Sequence, residues 1–153
     1  MSAAPIVFRL QFTGASVPMP ESPNLLRAAL EAASVRMTTE IGPAGIDARL
    51  ERLAGQTARL SSVATLIGER EFIENGTITY GKGGTSLSFT THQTGCIHHG
   101  PDGRLLIGAI IWRITAGTGQ FAGATGYITA NFFYDPQSGQ VTDNQTIAVY
   151  LPE

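Results

Sequence analysis

The chain is poor in charge, in lysine and in cysteine, and each shortage removes a class of function. Charged residues make up 14% of its 153 positions, against a usual share of about 25%. The net charge is −2 and the one lysine is Lys82, too little positive charge to follow a nucleic-acid backbone. Arg49, Arg52 and Arg59 fall close together, but Asp47 and Glu51 are interleaved with them, which reads as a solvated face. The single cysteine, Cys96, excludes an internal disulfide and any multi-cysteine zinc site. No stretch approaches the ~20 apolar residues of a membrane span. The N-terminal MSAAPIVFRLQF lacks the basic start and long apolar centre of a secretory signal. These shortages point to a cytoplasmic protein with no nucleic-acid or membrane partner.

What the chain does have is 42% hydrophobic residues and 18 glycines, a composition that favours strands and tight turns over a helical bundle. The length suits a single domain, 1–153. So little charge leaves apolar surface that a homo-oligomer would cover. Ile6, Phe8, Leu10 and Phe12 alternate with Val7, Arg9 and Gln11, a short strand. Pro18, Pro20 and Pro23 follow. Ser22 as N-cap, Pro23 at the first helical position and the stripe Leu25, Leu26, Ala29 and Leu30 predict a helix over 22–33. Residues 44–53 fit a short helix or a strand equally well. From about Thr57 the period is two, in six runs separated by turn chemistry such as Gly81-Lys82-Gly83-Gly84 and Asp135-Pro136-Gln137-Ser138-Gly139. The fold expected is mainly β: a small antiparallel meander barrel of about eight strands with an N-terminal helical segment. The run 105–114 is apolar on both faces, so its outer face should pack on that helix or on a neighbouring subunit.

The stretch 114–133, ITAGTGQFAGATGYITANFF, sets Gly117, Gly119, Gly123 and Gly126 around a lone aromatic, Phe121. Glycines there permit a sharp strand reversal while Phe121 plugs a barrel end. With Ala124, this segment resembles the corner motif of the allene oxide cyclase-like barrels and of the dirigent proteins. The resemblance implies a small, usually oligomeric barrel with an apolar cavity open at one end. It implies terpenoid, oxylipin, phenolic or polyketide-like ligands, with cyclisation or coupling steered in some members. The catalytic residues of the plant cyclases have no positional match here.

Candidate chemistry rests on a few side chains. Glu74 shares a strand face with Phe72 and Tyr80, and a carboxylate turned into an apolar barrel would have a raised pKa suited to acid–base work. Asn131, an amide between Ala130 and Phe132, needs a partner, and Tyr127 shares its face. Glu74, Asn131 and Tyr127 are the candidate catalytic residues, with Tyr80, Trp112, Phe133, Asn144 and Tyr150 as candidate substrate-binding residues. His92, Cys96 and His98 share a face, but His92 and Cys96 would lie ~13 Å apart along a strand, too far for one ion. Cys96 has no electropositive setting of the kind a nucleophile needs. Neither a metal nor a cofactor is expected. The composite reading is a cofactor-free isomerase, cyclase or lyase acting on an apolar small molecule. The competing class is a carrier that binds a similar ligand without turning it over, and a third is a purely structural module.

Overall fold

The computed structural model describes residues 4–153. Its strands are β1 (Ile6–Met19), β2 (Ser22–Gly42), β3 (Gly45–Leu66), β4 (Glu71–Tyr80), β5 (Thr85–His99), β6 (Leu106–Thr118), β7 (Thr125–Tyr134) and β8 (Gln140–Tyr150). Each pairs antiparallel with the next and β8 pairs with β1, so the eight strands close into a barrel. Short turns between successive strands force this meander, and closure leaves no free barrel edge to aggregate. One face of each strand fills the interior. Phe12, Leu30, Leu60, Ile78, Leu87 and Ile128 are among the residues withdrawn from water there. Among the described residues no helix is long and apolar enough to cross a membrane.

The helix predicted over 22–33 is not there: Ser22 opens β2. Its apolar residues satisfy period two as well as period 3.6, and the barrel selects the former. Leu26, Ala28, Leu30 and Ala32 point inwards, three of them fully buried, while both edges of the strand are hydrogen-bonded to β1 and β3. The ladder outweighs a helix propensity worth only tenths of a kcal/mol per residue. Pro23, which cannot donate to a ladder, falls where the β1–β2 register shifts, between the Met19–Ser22 and Pro18–Leu26 pairs. The undecided segment 44–53 is strand as well, apart from Ala44 in the turn before it.

The glycine-rich corner joins β6 to β7 through the 3₁₀ turn Gly119–Phe121. Phe121 is buried, stacked on Phe8 and edge-on to Tyr80, closing that end of the barrel. Gly126 has φ 134°, and a Cβ there would sit 2.0 Å from the Ala148 carbonyl oxygen. Only glycine lets β7 start this close to β8.

Two strands outrun the barrel. Beyond Ala32 and Ala58, β2 and β3 leave the wall and continue as a two-stranded arm, residues 34–53. The departure is a bulge: Ala33 pairs with Thr57 and Ser34 with Leu53, leaving Ala54, Gly55 and Gln56 unmatched. Gly55 sits at φ 151°, a conformation nearly closed to other residues, and turns the ribbon outwards.

Candidate active site

The end of the barrel opposite Phe121 is hollow. A pocket of about 100 Å³ is walled by Leu26, Leu30, Phe72, Ile97, Phe132 and Val141, with Ser16 and Tyr134 also lining it. Its polar groups are few, and its ionisable side chains besides Tyr134 are two carboxyls. Glu74 comes from β4, Asp143 from β8, and Trp112 from β6. Among the described residues no lysine, arginine or histidine lines it.

A break in the sheet places Glu74. The β4–β5 register slips between Phe72 and Asn75, so Glu74 has no backbone partner on β5. The Thr91 hydroxyl stands in for one: it accepts from the Glu74 N–H at 2.5 Å and donates to the Glu74 carbonyl at 2.8 Å. The main chain is thereby satisfied while β5 bulges away. The Glu74 side chain receives a hydrogen bond at Oε1 from the buried Ser62 hydroxyl. Glu74 retains some accessible surface, and that surface borders the pocket.

Asp143 is 4% exposed and accepts a 2.8 Å hydrogen bond at Oδ2 from Gln145 Nε2, itself buried. Among the described residues its Oδ1 has no hydrogen-bond partner, and neither has Trp112 Nε1. Trp112 is held by stacking on Phe89 at 4.3 Å. These two unpartnered atoms belong to residues lining the pocket, where an unmatched buried polar group is costly unless a ligand or water meets it.

Burial governs the acidity of the site. It pushes Glu74 up to about 7, with the Asp143 charge adding to the rise and the Ser62 hydrogen bond and the nearby Trp112 indole opposing it. Asp143 is likewise raised to about 7 by burial, against the hydrogen bond from Gln145. Two interacting carboxyls in an apolar cavity resist ionising together. With both raised to about 7, the pair titrates near neutrality, where an acid and a base are both available.

The structure brings Glu74 and Trp112 together and scatters the other sequence-derived candidates. Tyr80 is inside the barrel but at the plugged end, against Phe8 and Phe121, its hydroxyl unpartnered and its pKa raised by burial. Tyr127, Asn131, Phe133 and Tyr150 are exposed on the outer wall, on the face opposite Ile128, Ala130 and Val149. Asn131 does have a partner: its Oδ1 accepts from Asn144 Nδ2 at 3.3 Å, and Asn144 Oδ1 accepts from Gln11 Nε2 at 3.0 Å, all outside the barrel. Sequence reasoning missed Asp143, Gln145, Ser62 and Thr91. A signal for the first two existed. Asp143 and Gln145 alternate in phase with Ile147 and Val149, the same kind of apolar face-mates that single out Glu74.

No protein-family model matches the chain, and no curated protein does either. Among solved structures it is similar to a pterocarpan synthase dirigent protein, with 20% sequence identity, a TM-score of 0.53, and coverage of 98% of this chain and 91% of that one. The two chains share a barrel fold over nearly their whole length.

Proposed function

We propose that the cavity binds a neutral, oxygen-bearing aromatic molecule of the phenolic class and moves a proton within it, using Glu74 and Asp143 as an acid–base pair. The observation that carries this reading is the pair itself: two buried carboxyls from different strands, both titrating near 7 in an apolar pocket. General acid–base groups work best with pKa values near the working pH. The likeness in fold to a dirigent pterocarpan synthase supports the phenolic class. The absence of any cation from the lining disfavours carboxylates and phosphates as ligands. At about 100 Å³ the pocket is on the scale of part of one aromatic ring. The cavity therefore takes only the reacting end, and the rest of the molecule lies outside it.

In the proposed step the protonated carboxyl gives its proton to a substrate oxygen. The ionised carboxylate takes one from a hydroxyl or an activated carbon of the same molecule. The net proton count is unchanged, as an isomerisation or ring closure requires, and an elimination releases water. Trp112 Nε1 supplies a fixed donor for the oxygen on which charge develops. The chain holds one tryptophan, so its fluorescence reports on this cavity alone. The test is titration of neutral phenolic alcohols against that fluorescence, followed by product analysis for wild type, Glu74→Gln and Asp143→Asn. Binding retained with turnover lost in both variants is the expected result. Turnover retained in Glu74→Gln refutes the acid–base role, and binding with no turnover in the wild type assigns the barrel to ligand carriage.

A further inference from the structure

The arm formed by residues 34–53 is a second anomaly, independent of the pocket. Every residue from Arg36 to Arg52 is exposed, yet the ribbon is regular and sharply two-faced. One face sets Ile41 opposite Ile46 and Met37 opposite Leu50, at 86%, 64%, 36% and 40% exposure. The other carries most of the charges, and two ion pairs form on it: Arg36 with Glu51 at 3.3 Å and Arg49 with Asp47 at 3.0 Å. A lone two-stranded ribbon is marginal in water, and one with an uncovered apolar face is more so.

The arm is not splayed at random. Arg52, on the apolar face, donates to Gln11 Oε1 at 3.1 Å, and Gln11 continues the outer-wall chain through Asn144 to Asn131. This ties the arm's root to the barrel. Beyond it Met37 and the wall residues Arg9, Ile111, Thr129 and Asn131 line an open groove of about 490 Å³. The wall side is suited to contact: of the outward residues on β6, β7 and β8 only Arg113 carries a charge, and Ile111, Tyr127, Phe133 and Tyr150 are exposed. Charge depletion with aromatic enrichment marks the centre of interfaces between proteins.

We infer that the arm and its facing wall form a clasp for a second copy of this chain, each copy laying its arm's apolar face on the other's outer wall. Both complementary surfaces are on the one chain. Arg36, Arg49 and Arg52 balance Glu40, Asp47 and Glu51, so the arm has no net charge and two copies meet without net repulsion. At ~3.3 Å per residue and ~5 Å between strands an arm face offers roughly 250 Å². Two arms and the two walls they cover then bury roughly 1,000 Å², the lower bound of a specific interface.

Light scattering coupled to gel filtration at micromolar concentration decides the matter, using wild type, an arm variant (Ile41→Asp with Ile46→Asp) and a wall variant (Ile111→Asp). The wild type should have at least twice the mass of one chain, and both variants should fall to that of one chain. All three should keep the same β-type circular dichroism, because the substituted side chains are exposed in the single chain. A wild type that runs as one chain overturns the inference, as does an arm variant or a wall variant that keeps the wild-type mass. Refolded material is not needed: should Ile111→Asp not accumulate as folded protein, Thr129→Asp on the same wall replaces it with the same two readings.

Discussion

The pocket end of the barrel buries Glu74 and Asp143 among leucines and phenylalanines, whereas the arm holds Ile41 and Ile46 out in water. Each region inverts the rule that governs the rest of the molecule. The inversions are also built differently. The buried carboxyls are held by neighbours dedicated to them: Ser62 on Glu74, Gln145 on Asp143, and Thr91 on the Glu74 main chain. The exposed isoleucines stand opposite each other near the tip of the arm, open to solvent. A polar group in a core has to be accommodated within the chain, because desolvation acts on the folded monomer itself. An apolar group in water carries only the loss of unrealised burial, which another molecule can supply later. Polar inversions therefore mark chemistry inside a fold, and apolar ones mark contact outside it.

The sharpest way to break this contrast is at the carboxyls. Glu74→Gln should lower turnover of a phenolic substrate by about 10²–10⁴-fold, the usual contribution of a positioned acid or base, measured as initial rates with binding checked by Trp112 fluorescence. Next in size is the plug. Phe121→Ala should lower stability by about 3–5 kcal/mol by hollowing the closed end, read from urea unfolding, and a loss under 1 kcal/mol would mean that Phe8 and Tyr80 close the barrel without it.

Stability against pH tests the burial of the pair. Both carboxyls keep their protons to about pH 7 when folded, against ordinary values of 4.5 and 3.8. The folded chain thus binds more protons between those limits, so the pair's destabilising contribution is absent below about pH 4 and grows as pH rises through 7. The loss should amount to a few kcal/mol and should vanish in the double variant Glu74→Gln, Asp143→Asn. A wild-type profile as flat as that of the double variant would show that the pair does not titrate in this range. Thr91→Val should lower stability by about 1–3 kcal/mol, since it strands both the N–H and the carbonyl of Glu74. It should also shift the pH profile of turnover, which a purely structural loss would leave in place. The smallest effect belongs to the arm. Ile41→Asp should change the unfolding free energy of the single chain by no more than about 0.5 kcal/mol, measured at dilutions where chains are separate.

How much of this was legible in the residues follows the same division. The strands from β4 to β8 could be read because alternating runs and glycine-rich turns are local signals. Phe72, Glu74 and Tyr80 sharing one face was local as well. The region 22–33 misled because alanine and leucine with a Ser-Pro start satisfy helical rules, and nothing within the segment announces the two neighbouring strands that bond to it. In β7 both faces carry aromatics, Tyr127 and Phe133 on one and Phe132 and Tyr134 on the other, so alternation could not say which was inside. The wrong face was also the more polar one in β8, where Asn144 drew attention that Asp143 deserved.

By itself, then, the amino-acid sequence determined the class of fold, the closed corner around Phe121 and the placing of one carboxyl among apolar face-mates. These depend on backbone conformation and period two, which neighbouring residues dictate. Only the tertiary structure decided that β2 is a strand, that Asp143 stands with Glu74, and that residues 34–53 leave the barrel as an arm. Each of those rests on contacts between strands far apart in the chain, and a pairing partner is a property of the closed sheet rather than of any one of its segments.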